Sequence, residues 1–412
     1  MQSETIFYLL IGIIVVDFVF DKIISYLNDK SREQPIPDAL QGIYDEEQYR
    51  KSQEYHREVG RFSNLTGGLS FVVIVGMLYF GGFGMIDEWL RAYAPNELLL
   101  SLYFFAVLYF ASDVLTIPFQ LYGIFVIEER YDFNKTTIKT FVMDKLKGYL
   151  LTIIIGGIIA AALIVLVFFM EQNFWIYFWI LISVFMVFLN MFYTSLIVPI
   201  FNKLKPLEDG PLKDAINAYS KKVLFPLNNI FVIDGSRRSS RGNAFFAGLG
   251  KKKKVVLYDT LIEKHTNEEL VSVLAHEVGH YKKKHVIWNM LIGIVQSGIM
   301  LYLLSLMIFN SDVSWAMGGN VSAMHLNVLA FGILYSPLSK IIGIIMNMFS
   351  RKNEYEADEY AATTYDKAPL ISALKKMTSD NYGNLTPHPW YVFVNYSHPT
   401  LLQRIQAMNQ IK

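Results

Sequence analysis

Seven stretches of the chain are apolar over roughly the 20 residues a helix needs to cross a bilayer: 5–20, 65–86, 98–118, 149–170, 174–198, 287–309 and 326–348. Each predicts a membrane-spanning helix, because in lipid a chain must satisfy its own backbone hydrogen bonds. The first window is short and carries Asp17. Its leading MQSET lacks the Lys or Arg of a signal peptide, so it reads as a retained helix. Residues 21–62 are polar, end in IYDEEQYRKSQEYHREVGRF, and predict a solvated amphipathic helix extending the second span. Two longer blocks lie outside the bilayer. The predicted organisation is helices 1–5 with their loops over 1–201, half of a soluble domain over 202–286, helices 6–7 over 287–349, and the other half over 350–412. The class is mainly α, multi-pass membrane.

Composition agrees. The 412 residues are 53% hydrophobic and only 18% charged, against about 25% charged in soluble domains. That excludes an ordinary soluble enzyme and a disordered chain. A net charge of +1 argues against nucleic acid as a partner. With the amino terminus outside and the spans alternating, 35 of the 37 Lys and Arg fall on one side. Only Arg91 lies in an outside loop, and Lys340 falls within the last span. By the positive-inside rule both soluble blocks are cytoplasmic.

There is no cysteine, so a metal would be held by His, Asp or Glu. The segment VLAHEVGHYKKKH supplies His276 and His280, four apart and therefore on one helix face, with Glu277 beside them. Two imidazoles at that spacing suit a single Zn²⁺, with Glu277 as general base on the metal-bound water. The longer pattern HExxHxxGxxH fails: Lys283 and Val286 occupy its Gly and last His positions, and His285 is one residue out of register. A downstream glutamate is the other common third ligand. In RKNEYEADEYAATTY, Glu354 and Asp358 share a helix face and Glu356 lies opposite. Glu354 is then the third ligand, and Asp358 an acceptor fixing a ligand histidine's free N–H.

GNAFFAGLGKKKKVVLYDTLI (242–262) reads as a hairpin turning at Gly248–Gly250, with an edge able to pair with an extended substrate, and its lysine run as a solvated turn facing anionic headgroups. In SHPTLLQRI, His398 is placed to donate to a tetrahedral oxyanion and Arg404 to hold a substrate carboxylate or backbone carbonyl. Asp17, Asp113 and Lys340 would each cost about 2.5–3.5 kcal/mol facing lipid, so they predict a polar or wet interior. Gly67–Gly68, Gly81–Gly82 and Gly156–Gly157 are candidate helix contacts.

Taken together, FVIEERYDFNKTT (125–137), IVPIFNKLKPLEDGPLK (197–213), IDGSRRSSRGNAFFAGLGKKKKVVLYDTLI (233–262), HEVGH, NEYEAD and SHPTLLQR resemble the type I CAAX endopeptidases, the CAAX prenyl protease 1 family of zinc metalloproteases. The resemblance runs over nearly the whole chain. It implies a barrel of seven helices around a water-filled chamber, closed by a gluzincin-like cytoplasmic protease domain. It also implies one Zn²⁺ on His276, His280 and Glu354, water activation by Glu277, and support from Asp358. Asn243 would contact the substrate backbone, and His398 and Arg404 match the family's final His and Arg. The implied partners are the bilayer and the C-terminal segments of prenylated or membrane-associated proteins. Short external loops favour a bacterial cell membrane over the endoplasmic reticulum membrane. A bacterial setting would allow a quality-control protease without a prenyl requirement. A transporter or receptor with an incidental zinc site is the rival of another class, disfavoured because every motif lies inside.

Overall fold

The structure, a computed structural model, describes residues 2–225, 230–248 and 254–411. The first half is helical: α1 (Ser3–Ser31), α2 (Glu46–Tyr79), α3 (Gly82–Arg91), α4 (Glu97–Tyr122), α5 (Ile138–Leu151), α6 (Gly157–Met170), α7 (Phe174–Leu196) and a short α8 (Val198–Phe201). Then come β1 (Leu204–Pro206), α9 (Pro211–Lys222), β2 (Ile230–Ile233), β3 (Ala244–Ala247), β4 (Lys254–Tyr258), α10 (Asp259–Lys264) and α11 (Asn267–Lys282). The chain ends with α12 (His285–Ser305), α13 (Ser311–Ala316), α14 (Met324–Thr364), α15 (Lys367–Asp380), α16 (Pro389–Asn395) and α17 (Leu401–Gln410).

The apolar windows fall almost wholly on helix, and among the described residues five helical stretches are long and apolar enough to cross a membrane: Glu46–Tyr79, Glu97–Glu128, Ile138–Phe201, His285–Ser305 and Met324–Thr364. The fourth and fifth windows share one of these stretches, where α6 and α7 pack together across the turn at Glu171–Asn173. Helix α1, with Asp17, Asp21 and Lys22 along it, is not among the five. The second window is also cut short. Helix α2 stops at Tyr79, where Gly81 adopts φ 67°, and α3 starts afresh. The polar segment 21–62 is likewise not one helix: its first part completes α1 and its last part opens α2.

Within the five stretches only 6–17% of the most apolar window of each is buried. At the end remote from the strands, Leu10, Phe83, Phe104, Met317 and Leu326 form a core. There a methyl on Gly84 would lie 1.8 Å from the Gly318 carbonyl oxygen, so α3 and the turn after α13 approach at backbone contact. The same end buries His325 between Asp87 (2.8 Å) and Ser101 (3.0 Å), pinning α3, α4 and α14. Of the glycine pairs, Gly68 and Gly157 face open space, and only Gly81–Gly82 lies at a close helix contact.

The charged residues of the windows are partnered across helices. Lys340 lies 3.2 Å from Asp17 and 2.9 Å from Asp21, and Ser336 donates to Asp17 at 2.6 Å. Asp113 accepts from Lys145 and Tyr149.

The second domain is built from both halves that the sixth and seventh windows separate. Its core joins Ile216 and Tyr219 of α9, Val255 and Leu257 of β4, Leu274 and Val278 of α11, Ala361 of α14, Ala373 of α15 and Met408 of α17. The expected hairpin is present as the antiparallel pair β3–β4, register Ala244↔Leu257 to Ala247↔Lys254. It belongs to a larger mixed sheet of order β1-β2-β4-β3, in which β2 and β4 run parallel. Of the expected turn and lysine run, 249–253 lie outside the described residues, while Lys254 donates to Ser195 at 2.9 Å. Strand β3 is an edge of the sheet.

Candidate metal centre

Helix α11 starts at a capping box: Glu269 N–H donates to Thr266 Oγ1 (3.3 Å), and Thr266 N–H donates to Glu269 Oε2 (3.0 Å). The same carboxylate accepts from Ser372 (2.7 Å) and Lys376 (2.8 Å) of α15, which fastens the helix start to the core. From Glu269 to Gly279 almost every residue is buried, so α11 is a central helix with its His276–His280 face turned to α14. Helix α14 runs on past its apolar window into NEYEAD, which presents Glu354 and Asp358, 5% and 1% exposed. The two helices meet at Gly279, where a methyl would sit 3.0 Å from the Ala357 Cα. No larger residue fits there without moving one helix.

One nitrogen of each histidine and the glutamate carboxylate converge. His276 Nε2 and His280 Nε2 are 3.1 Å apart, His280 Nε2 lies 3.3 Å from Glu354 Oε1, and His276 Nε2 lies 3.4 Å from Glu354 Oε2. Zinc ligands at about 2.0–2.1 Å in a tetrahedron are separated by about 3.3–3.4 Å. The donor set fits such an ion in its chemistry, and the two imidazole nitrogens stand near that separation with one oxygen of Glu354 facing each of them. Glu354 Oε2 is buried with no hydrogen-bond partner among the described residues, and it faces His276 Nε2 at 3.4 Å and Arg404 Nη1 at 3.5 Å.

Asp358 Oδ1 lies 2.9 Å from His276 Nδ1, which leaves the Nε2 of a neutral His276 free as a lone pair. Arg404 is buried and donates to the same carboxylate through Nε (2.8 Å) and Nη2 (2.5 Å), while its Nη1 lies 3.5 Å from Glu354 Oε2. Burial opposes a charge on His276, but Asp358 and Glu354 outweigh it and lift the imidazole to about 9, so a cation must displace a proton to bind. Burial pushes the Glu277 carboxyl above its usual range, and the charges of His276 and His280 offset this in part.

His398 Nε2 lies 3.4 Å from Glu354 Oε1, its Nδ1 lies 3.0 Å from Ser397 Oγ, and its side chain is 63% exposed. Thus His276, His280, Glu354, Asp358, Arg404 and His398 form one connected group. Asn243 stands apart from it, exposed at the start of edge strand β3. Its carbonyl accepts from Tyr258 N–H at 3.0 Å, and its side chain accepts from Ala244 N–H at 2.8 Å. The loop leading to it is held by Arg241, stacked 4.1 Å over Phe133 and bonded to Tyr55 (2.7 Å) and Glu128 (3.1 Å). Two participants have no role in the sequence reading: His285, 3.0 Å from His280, and Glu356, 3.1 Å from His285. Their signal was present as the out-of-register histidine and the glutamate of NEYEAD.

Residues 25–203 match the family described as CAAX prenyl protease N-terminal, five membrane helices, and residues 206–412 match peptidase family M48. The CAAX prenyl protease 1 homolog of Arabidopsis thaliana is 31% identical over 97% of this chain and 96% of its own length. CAAX prenyl protease 1 of Saccharomyces cerevisiae is 30% identical over 97% of this chain and 94% of its own. The crystal structure of S. mikatae Ste24p superposes with a TM-score of 0.93 at 29% identity, covering 98% of this chain and 99% of that one. Sequence and fold agree along the whole length, and the chain therefore belongs to peptidase family M48 as an integral membrane metalloprotease.

Proposed function

We propose that the chain is a zinc endopeptidase cutting near the C-termini of prenylated, CAAX-type proteins, with His276, His280 and Glu354 holding one Zn²⁺. The observation that carries this reading is the convergence of His276 Nε2 and His280 Nε2, 3.1 Å apart, on the buried Glu354 carboxylate, whose Oε1 lies 3.3 Å from His280 and whose Oε2 lies 3.4 Å from His276. A zinc ion held there supplies Lewis-acid polarisation of the scissile carbonyl and a water of lowered pKa.

The chain's own groups do the rest. Glu277, whose carboxyl burial raises above its ordinary value, takes the proton of the attacking water and passes it to the leaving amine. His398, exposed on the open side of Glu354, donates to the developing oxyanion. The free edge of β3, starting at Asn243, pairs with an extended substrate backbone. Arg404 is assigned to holding Asp358, and through it His276. With both of its inner nitrogens on that carboxylate and 11% of its side chain exposed, it offers little to a substrate carboxylate.

Seven helices enclosing a wet chamber remain our reading of the membrane part. The low burial of the apolar windows and the ion pairs of Asp113 and Lys340 support it. The distribution of Lys and Arg supports a cytoplasmic protease domain. Short external loops keep the bacterial cell membrane as the favoured setting over the endoplasmic reticulum, although the relatives named above are eukaryotic. The substrate class is supported by the names of those relatives. It is tested by incubating purified protein with a farnesylated CAAX peptide, its unprenylated twin and an unfolded protein, with and without chelator. Chelator-sensitive cleavage of the farnesylated peptide alone is expected. Equal cleavage of all three would replace this reading with a quality-control protease, and no cleavage would refute both.

A further inference from the structure

His285 is buried, 4% exposed, and makes contacts that a helix could not deliver. Residues 280 and 285 are five apart, which on one continuous helix would set them roughly 140° apart around the axis. The helix is not continuous. Helix α11 ends at Lys282, Lys284 takes a left-handed conformation (φ 62°, ψ 25°), and His285 opens α12. Residues with a β-carbon other than Asn and Asp rarely adopt that region. The turn so formed folds His285 back onto His280, Nδ1 to Nδ1 at 3.0 Å. On its other side His285 Nε2 lies 3.1 Å from Glu356 Oε2.

These contacts have one consistent protonation pattern for neutral rings. An ionised carboxylate only accepts, so the proton of His285 sits on Nε2 and points to Glu356. Its Nδ1 is then a lone pair, and His280 Nδ1–H must be the donor between the rings. His280 Nε2 is left without a proton, facing His276 Nε2 and Glu354, which is the tautomer a metal requires. Asp358 does the same for His276 in one step.

We propose that His285, backed by Glu356, is a positioning residue that fixes the ring orientation and tautomer of His280. It thereby ties the metal centre to the first turn of α12, one of the membrane-crossing stretches. The inference rests on the metal-centre reading above. It also explains why the out-of-register histidine is no ligand: its place is behind one.

The test uses the full-length protein in lipid nanodiscs, stripped by chelator. Zn²⁺ affinity is read by competition with a chromophoric chelator, and site geometry by the visible spectrum of the Co²⁺ form. His285→Phe keeps the ring's bulk and removes the acceptor. It should bind Zn²⁺ about 10–100-fold more weakly, with an altered Co²⁺ spectrum. His285→Gln returns a carbonyl acceptor to His280 and should recover most of the affinity. Glu356→Ala, on a partly exposed side chain, should weaken binding by a smaller factor without unfolding the protein. Wild-type affinity in both His285→Phe and Glu356→Ala, or a glutamine variant no better than the phenylalanine one, would overturn the proposal. Should His285→Phe fail to fold, unchanged affinity in Glu356→Ala alone overturns it. Wild-type protein that binds no zinc would instead refute the metal-centre reading, a distinct outcome.

Discussion

Gly279 faces the backbone of Ala357 so closely that a methyl group on it would lie 3.0 Å from the Ala357 Cα and 3.1 Å from its carbonyl oxygen. That contact sets the spacing between the helix of His276 and His280 and the helix of Glu354. Gly279→Ala should force the helices apart at a cost of about 1–3 kcal/mol. It should also weaken metal binding, because Glu354 moves away from both histidines. In an unconstrained helix the same change would stabilise by roughly 0.5–1 kcal/mol. A raised melting temperature with full zinc content would therefore contradict the contact's role.

Glu354 supplies the one carboxylate of the donor set, between two imidazoles. Glu354→Ala should reduce zinc from one ion per chain toward none in metal analysis of the purified protein. Unchanged stoichiometry would remove Glu354 from the ligand set.

The fork between Arg404 and Asp358 is buried, and breaking such a pair from one side costs about 3–5 kcal/mol. Arg404→Ala should accordingly lower the melting temperature and zinc affinity together. A residue that only bound substrate would raise KM and leave the melting temperature alone, and that pattern would return Arg404 to the substrate.

Burial works against the charge on Glu269, but Lys376, Ser372 and the Thr266 N–H outweigh it and hold the carboxyl below its ordinary value. Between that value and the lower folded one, the unfolded chain binds more protons, so stability rises with pH there. The contribution is complete above the ordinary glutamate range and is lost as pH falls through the folded value. Glu269→Ala should lower the melting temperature near neutral pH, because it removes the carboxylate that closes the capping box and accepts from Ser372 and Lys376. The gap to wild type should narrow on acidification. A gap independent of pH would contradict it.

His276, His280, Glu354 and Asp358 were legible because helix geometry brings residues four apart to one face. His285 and Glu356 were not, because their meeting with His280 depends on a left-handed Lys284 that a helical pattern does not announce. The pair β3–β4 showed in its alternation, whereas β1 and β2, three and four residues long, carry too little pattern to read. Hydropathy finds windows of apolar residues, but it does not show that the second breaks at Gly81 or that the fourth and fifth share one stretch.

Zinc content and peptide cleavage, measured on the same preparation of Glu277→Gln, test the central claim most directly. The variant keeps all three donors and loses only the proton acceptor. One zinc per chain with cleavage of a farnesylated CAAX peptide reduced about 10²–10⁴-fold is the predicted result. A zinc-replete variant cleaving at the wild-type rate would contradict it.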